Sequence, residues 1–288
     1  MGKISCVVCG AVDWKKKFYR LGTEFVECSK CGVVRMNPIP SGGQITEHYQ
    51  KRYLNGNYEL IRKYDTEYQA VYNQFLSLVI EHCGAPKNLK LLDVGCFTGR
   101  FLDAAKEAGF ITYGVEYQDE AANIANKKHE DRIFCGPIEK YPRNSVGQFD
   151  VITLFGVIEH VTSPDTTLQI VAELLKPEGV MIIQTPNTKS AISKLLGKLW
   201  PAYAPIEHIY YFSYTNIRKI LETNGFETIQ TIRHWKKLPI AYVYNQFRNF
   251  GPEFYRLFSK VMPLISKKVM SWRLPFYGGE MIVVARKI

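Results

Sequence analysis

No run of eighteen consecutive apolar residues occurs in the 288-residue chain, so it holds no candidate for a membrane-spanning helix. The opening Met1-Gly2-Lys3-Ile4-Ser5-Cys6 lacks the apolar segment of a secretory signal, which points to a cytoplasmic setting. Internal repeats and low-complexity tracts are also missing, which excludes solenoid and fibrous architectures. Acid is scarce in one place only. From Arg233 to Arg273 nine Lys or Arg accompany a single carboxylate, Glu253, a local charge of +8 against +10 for the whole chain. The basic character therefore belongs to one segment and not to the surface at large.

Cysteine is sparse too, yet four of the seven form Cys6-x2-Cys9 and Cys28-x2-Cys31 with eighteen residues between the pairs. That spacing suits a four-thiolate zinc site, closed to solvent and structural in role. Two disulfides or a redox pair are the alternatives, and a reducing compartment counts against them. Residues 1–40 read as a zinc ribbon, ending in the Pro/Gly-rich Asn37–Gly43. Cys83, Cys96 and Cys135 have no sequence partner and read as packed thiols.

The stretch Leu91-Leu92-Asp93-Val94-Gly95-Cys96-Phe97-Thr98-Gly99 runs from an apolar strand through a glycine turn into a helical pattern. Such a junction lets backbone N–H groups approach a ligand at a helix N-terminus. Twenty-three residues after Asp93, Glu116 ends the next apolar run, placed to accept from ribose hydroxyls. Together these describe a nucleoside pocket; the glycine spacing is not the GxGxxG of a pyrophosphate site. Strand candidates at 89–94, 111–115, 132–135, 149–155, 179–184, 226–232 and 280–286 alternate with helices at 99–108, 119–128, 163–175 and 213–223. The expected fold is α/β, a Rossmann-like, doubly wound and mostly parallel sheet over residues 41–288. Lys176-Pro177-Glu178-Gly179 reads as a turn before the fifth strand.

Several stretches together resemble the zinc-ribbon-bearing class I methyltransferases, a bacterial group common in sugar and polysaccharide pathways. They are the cysteine pairs leading to Cys31-Gly32-Val33-Val34-Arg35-Met36-Asn37-Pro38, Leu92–Gly99, Phe149-Asp150-Val151-Ile152, Val157-Ile158-Glu159-His160-Val161, Leu174–Gly179, Thr185-Pro186-Asn187 and Glu207-His208-Ile209-Tyr210-Tyr211-Phe212-Ser213. Phe97 departs from the pattern, standing where that family most often has a second glycine. The resemblance implies a seven-stranded sheet with an antiparallel last strand, and S-adenosylmethionine as the methyl donor. It implies cofactor contacts from Asp93, Gly95, Gly99, Glu116 and Phe155, with Tyr117 or Ile138 against adenine. Acceptors of that group are sugars, glycolipid precursors and other small molecules, phosphorylated or lipid-linked forms included.

His208 is the expected general base, because imidazole titrates near neutrality and this residue follows the fifth strand, where substrate arrives. Glu207 would orient it. His160 would line the pocket floor. Glu159-His160 also invites a metal, but related methyltransferases that bind one there use Glu-x-x-Glu-His, and Gly156 replaces the first acid, leaving two ligands. Tyr49, Tyr53 and Tyr58 are candidates for a lid or for packing against the ribbon. Residues 233–274 interleave Trp235, Tyr242, Phe247, Phe254, Phe258 and Trp272 with the basic residues. They read as a helical insertion before the last strand, covering the active site or touching an anionic membrane surface. Nucleic acid is the less favoured anionic partner, since the cluster is apolar-rich and not a Lys/Arg stripe. O-methylation of a small molecule is the first reading; RNA methylation, deoxysugar C-methylation and a silent binding module are the alternatives.

Overall fold

Of the three sheets among the described residues, the two larger grow from the two kinds of sequence pattern. The computed structural model describes residues 4–45, 47–48, 65–143 and 148–288; Tyr49, Tyr53, Tyr58 and Tyr64 lie outside the described residues. The cysteine-bearing segment forms β1 (Trp14–Arg20), β2 (Thr23–Cys28) and β3 (Val34–Asn37), paired antiparallel in that order.

Beyond it, α1 (Asp65–Cys83) precedes the alternating run β4 (Lys90–Val94), α2 (Arg100–Ala108), β5 (Ile111–Glu116), α3 (Asp119–Asn126), β6 (Ile133–Cys135), β7 (Phe149–Phe155), α4 (Pro164–Leu174) and β8 (Leu175–Pro186). Short α5 (Ala191–Leu196) and β9 (Tyr210–Tyr211) lead to α6 (Tyr214–Thr223) and β10 (Phe226–Arg233). An insertion of β11 (Lys236–Pro239), α7 (Ile240–Phe250), α8 (Pro252–Phe258), α9 (Lys267–Met270) and β12 (Arg273–Phe276) precedes β13 (Glu280–Lys287). The large sheet has the order β10-β13-β8-β7-β4-β5-β6. β4 to β8 pair in parallel, and β13 runs antiparallel to both its neighbours. This is the seven-stranded Rossmann-like sheet the sequence led us to expect.

Local chemistry explains the element ends. Gly99 and Gly109 bracket α2 with φ of 77 and 107, and the Gly109 N–H donates to the carbonyls of Ala105 and Lys106. Pro164 occupies the first turn of α4, where its missing N–H leaves no helical bond unmade. Ser213 and Asn216 cap α6 reciprocally. The 176–179 turn differs from expectation. Leu175 already pairs with Phe149 and Val180 with Val151, so Lys176–Gly179 bulges out of a continuous β8. Glu178 takes φ 60 there.

The ribbon is not a bead on a linker. β3 pairs with β9, through Val34 with Tyr211 and Arg35 with Tyr210. Cys6, Val8, Phe25, Cys28 and Val34 share one apolar core with Tyr203, Tyr211, Phe212 and the face of β7 and β8. Phe25 packs edge-on to Tyr203 and Tyr211. Removing rings of this size from water contributes about 1.5–3 kcal/mol each, so the seam is part of the fold.

Candidate active site

The carboxyl ends of β4, β5 and β7 open on a cavity of about 620 Å³, within the range that holds a small ligand or cofactor. Gly95, Phe97, Glu116, Tyr117, Ile138, Gly156, Val157, His160 and Glu207 are on its walls. At the first turn Gly95 has φ +75, and a Cβ there would lie 2.7 Å from Val157 Cγ2; only glycine fits this approach. Phe97 also adopts a left-handed conformation, φ 49. That explains why glycine suits this position, and a side chain held there costs about 1–2 kcal/mol. Phe97 is on the cavity wall, and the open volume of about 620 Å³ remains beside it.

Glu116 fixes the far side. Its two carboxylate oxygens accept the N–H groups of Phe97 and Gln118, each at 2.8 Å. The glycine turn and the end of β5 are thereby tied to one carboxylate, which has remaining lone pairs toward the cavity. Burial raises the Glu116 pKa, while those backbone bonds lower it. Tyr117 and Ile138 stand beside it, where a flat ring would lie.

Three residues expected at the cofactor are absent from the walls. Asp93 is 4% exposed behind the turn, accepts the Thr153 hydroxyl proton at 2.7 Å, and is pushed up to about 7 by burial. Phe155 turns to the other face, stacked on Phe75 at 3.8 Å and edge-on to Phe101. Gly99 makes room for His129, whose Nε2 would be 2.9 Å from an added Cβ. The period-two alternation of β4 and β7 puts Asp93 and Phe155 on the same face of the sheet as Leu91 and Val151, the face packed by Phe75 of α1 and Phe101 of α2.

The second end of the cavity differs from the sequence expectation. The expected base, His208, is not on the cavity wall; His160 is. The two rings meet edge-on with centroids 4.7 Å apart. The Glu159 carbonyl causes this, because it accepts the N–H groups of Ile209 and Tyr210 at 2.7 and 3.1 Å and staples the two Glu-His pairs together. Nor does Glu207 orient His208. The His208 Nδ1–H donates to the Ala202 carbonyl at 2.8 Å, which fixes the proton on that nitrogen. Glu207 instead meets His48 Nε2 at 2.7 Å. His48, like Gly42 and Ile45 on the cavity wall, carried no sequence signal, since it gains meaning only by folding back over the site.

Glu159 is 2% exposed, and burial pushes it up to about 8. Among the described residues, its Oε2 has no hydrogen-bond partner. Glu159, His160 and His208 bring a carboxylate oxygen and two imidazole nitrogens within 4.8 Å of one another, one donor more than the sequence alone provided. The four ribbon cysteines also lie within 4.8 Å of one another, with Cys6 and Cys31 sulfurs 3.5 Å apart and Cys9 and Cys28 3.6 Å apart. A disulfide needs about 2.05 Å; sulfurs around a tetrahedral zinc, with bonds of about 2.3 Å, stand roughly 3.8 Å apart. The thiolates fit the metal and not the disulfide.

Comparison with known proteins agrees with this geometry. Residues 62–231 match a family model described as a methyltransferase domain. A ubiquinone biosynthesis O-methyltransferase of Acinetobacter baylyi is 27% identical over 130 residues, 42% of this chain and 55% of that protein. One of Actinobacillus pleuropneumoniae is 34% identical over 107 residues, 34% of this chain and 46% of that protein. The chain thus spans about half the length of these curated relatives. Among solved structures, the YcgJ protein from Bacillus subtilis superposes with a TM-score of 0.55 at 16% identity, over 75% of this chain and 98% of that one. The magnesium protoporphyrin IX methyltransferase of Synechocystis, solved with bound SAH, gives 0.55 at 14% identity, over 86% and 100%. These two share the fold. The family match covers more than half of the chain and includes the glycine turn, Glu116 and both histidine-bearing loops up to α6, so the chain belongs to the class I S-adenosylmethionine-dependent methyltransferases.

Proposed function

We propose that this chain methylates a hydroxyl oxygen of a small-molecule acceptor. The observation that supports this most is that His160 and Glu116 line one and the same cavity. Gly95 would admit the methionine part, Glu116 would accept the ribose hydroxyls, and Tyr117 and Ile138 would flank the adenine. When bound, S-adenosylmethionine supplies a methyl carbon already activated on a sulfonium. With the donor held there, His160 would take the proton of the acceptor hydroxyl as its oxygen is methylated. His208 holds the His160 ring in place, itself held by Ala202.

The names of the curated relatives point to O-methylation of lipid-like intermediates in ubiquinone biosynthesis. The sequence resemblance points to sugars and glycolipid precursors. The apolar Ile45, Val157 and Val161 on the cavity wall suit an acceptor with an apolar body, so we place lipid-like and lipid-linked hydroxyls ahead of free sugars and of RNA. Deoxysugar C-methylation ranks behind, because Pro205 stands where that group has its tyrosine. We also assign one structural zinc to Cys6, Cys9, Cys28 and Cys31.

Labelled methyl transfer to a panel of catechols, polyprenyl-linked sugars, sugar nucleotides and RNA tests the acceptor. His160→Ala is expected to lower kcat by about 10²-fold with cofactor Kd changed less than about twofold. Full turnover in that variant discards the base assignment. A second reading has Glu159, His160 and His208 holding a divalent cation that polarises the hydroxyl, favoured by the unpartnered Glu159 Oε2. Unchanged activity after dialysis against a chelator, at a retained zinc content of one per chain, would remove it.

A further inference from the structure

From Pro252 to Gly278 no residue is buried, although this stretch carries Phe254, Leu257, Phe258, Val261, Met262, Leu264, Ile265, Val269, Met270, Trp272, Leu274 and Phe276. Leu257 is 67% exposed, Leu264 84% and Trp272 53%. Tyr242 and Leu238 of the same insertion are sealed against Tyr68 and Phe276, whereas Leu257, Val261, Leu264, Trp272 and Leu274 stay exposed to water. Exposed apolar groups gathered in one lobe mark a surface made for a partner.

Charge identifies the partner. Arg256, Lys260, Lys267, Lys268 and Arg273 share the lobe with one acid, Glu253, and that acid is turned inward to Arg20 at 3.4 Å. A second copy of the lobe would bring like charges together, whereas an anionic bilayer supplies both an apolar layer and negative headgroups. Tryptophan favours that boundary, and each Lys or Arg near such a surface contributes about 1 kcal/mol. No helix among the described residues is long and apolar enough to cross a membrane. Topology aims the lobe. β10 ends and β13 begins at the edge of the sheet where β7 and β8 end, since Arg233 pairs with Met281 and Glu280 with Pro186.

We propose that residues 252–276 dock the enzyme on an anionic membrane surface, with the ligand edge of the sheet turned toward the bilayer. Docking depends on the lobe alone and stands whether or not the acceptor is lipid-like.

Sedimentation with vesicles of phosphatidylglycerol and phosphatidylcholine, against vesicles of phosphatidylcholine alone, tests it with the full chain. The wild type is expected to bind the anionic vesicles at least about tenfold more strongly. Leu264→Glu and Lys267→Glu/Lys268→Glu, both at exposed positions, should each weaken that binding about tenfold or more while the thermal midpoint stays within about 2 °C. Equal binding to both vesicles, binding to neither, or anionic binding indifferent to both variants overturns the proposal. So does self-association of the wild type that Leu264→Glu abolishes.

Discussion

Gly95 carries the narrowest steric constraint in the site. Alanine there would hold its methyl 2.7 Å from Val157 Cγ2 at a left-handed φ, so either the turn or Val157 must move into the cavity. Gly95→Ala is expected to weaken S-adenosylmethionine binding at least about tenfold, measured by calorimetry, with a smaller loss in thermal stability of about 1–2 kcal/mol. A Val157→Ala change in the same chain should restore part of the affinity. The residues that sequence reading identified for the cofactor divide along this line. Those on the turn and at the strand tip, Gly95, Glu116, Tyr117 and Ile138, reach the cavity. Asp93, Gly99 and Phe155 stand behind it, because motif spacing names a turn and does not say which side of the turn each side chain takes.

Among single side chains, Glu280 gives the clearest titration. Burial would raise its pKa, but the Lys236 ammonium at 2.6 Å and the His234 ring at 3.1 Å hold it down to about 2 from 4.5. A carboxylate depressed in the fold lends stability above its unfolded pKa and loses it as pH falls through its folded value. The contribution is therefore present at neutral pH and fades between about 4.5 and about 2. Lys236→Ala, which strands the carboxylate, is expected to cost about 3 kcal/mol at pH 7, read by urea unfolding. The deficit should shrink at pH 3, and Glu280→Gln in the same chain should recover part of it.

At the scale of elements, the ribbon is tied to the rest of the chain. Four cysteines and a Pro/Gly tract read as a zinc ribbon ahead of the main domain, and in the fold β3 lends its edge to β9, Met36 N–H donates to Ile209 O at 3.0 Å, and the capping residue Asn216 donates to Cys31 O at 2.8 Å. Pairing of strands about 175 residues apart leaves no local signal in either segment, which is why the cysteine spacing was legible and the docking was not. Stripping zinc, or Cys9→Ser with Cys28→Ser, is expected to lose amide protection in β1 to β3 and also in β9 and residues 207–212, while β7 and β8 stay protected. Hydrogen exchange followed by mass spectrometry checks this. Turnover should fall more than cofactor affinity, because Ile209 and Tyr210 are what hold Glu159 and so His160 in register.

For the whole molecule, the alternation of apolar runs with amphipathic ones was enough to predict the seven strands and their doubly wound arrangement, since each βαβ unit announces itself over some thirty residues. The insertion was visible as a basic, aromatic segment, and its helices were expected. Its closing ladder of β11 with β12, through Leu238 and Leu274, was not, as four-residue strands with Pro at 239 and 275 look like loop. The helix read from Pro252 is split, as the proline at 263 led us to expect, with α8 ending at Phe258 and Met262–Leu264 forming a separate 3-10 turn around Pro263. With so little buried, amides of 252–276 are expected to exchange well before those of β13, and native-state exchange as a function of denaturant would measure the gap.

The β3–β9 ladder also dictates an order of events during synthesis. The cysteine knuckles leave the ribosome long before Tyr210 and Tyr211 are made, so for most of translation Phe25 and Val34 present an unsealed greasy flank beside an unpaired strand edge. A nascent chain halted before residue 209 would still be a target for chaperones. Only the arrival of two tyrosines closes the seam.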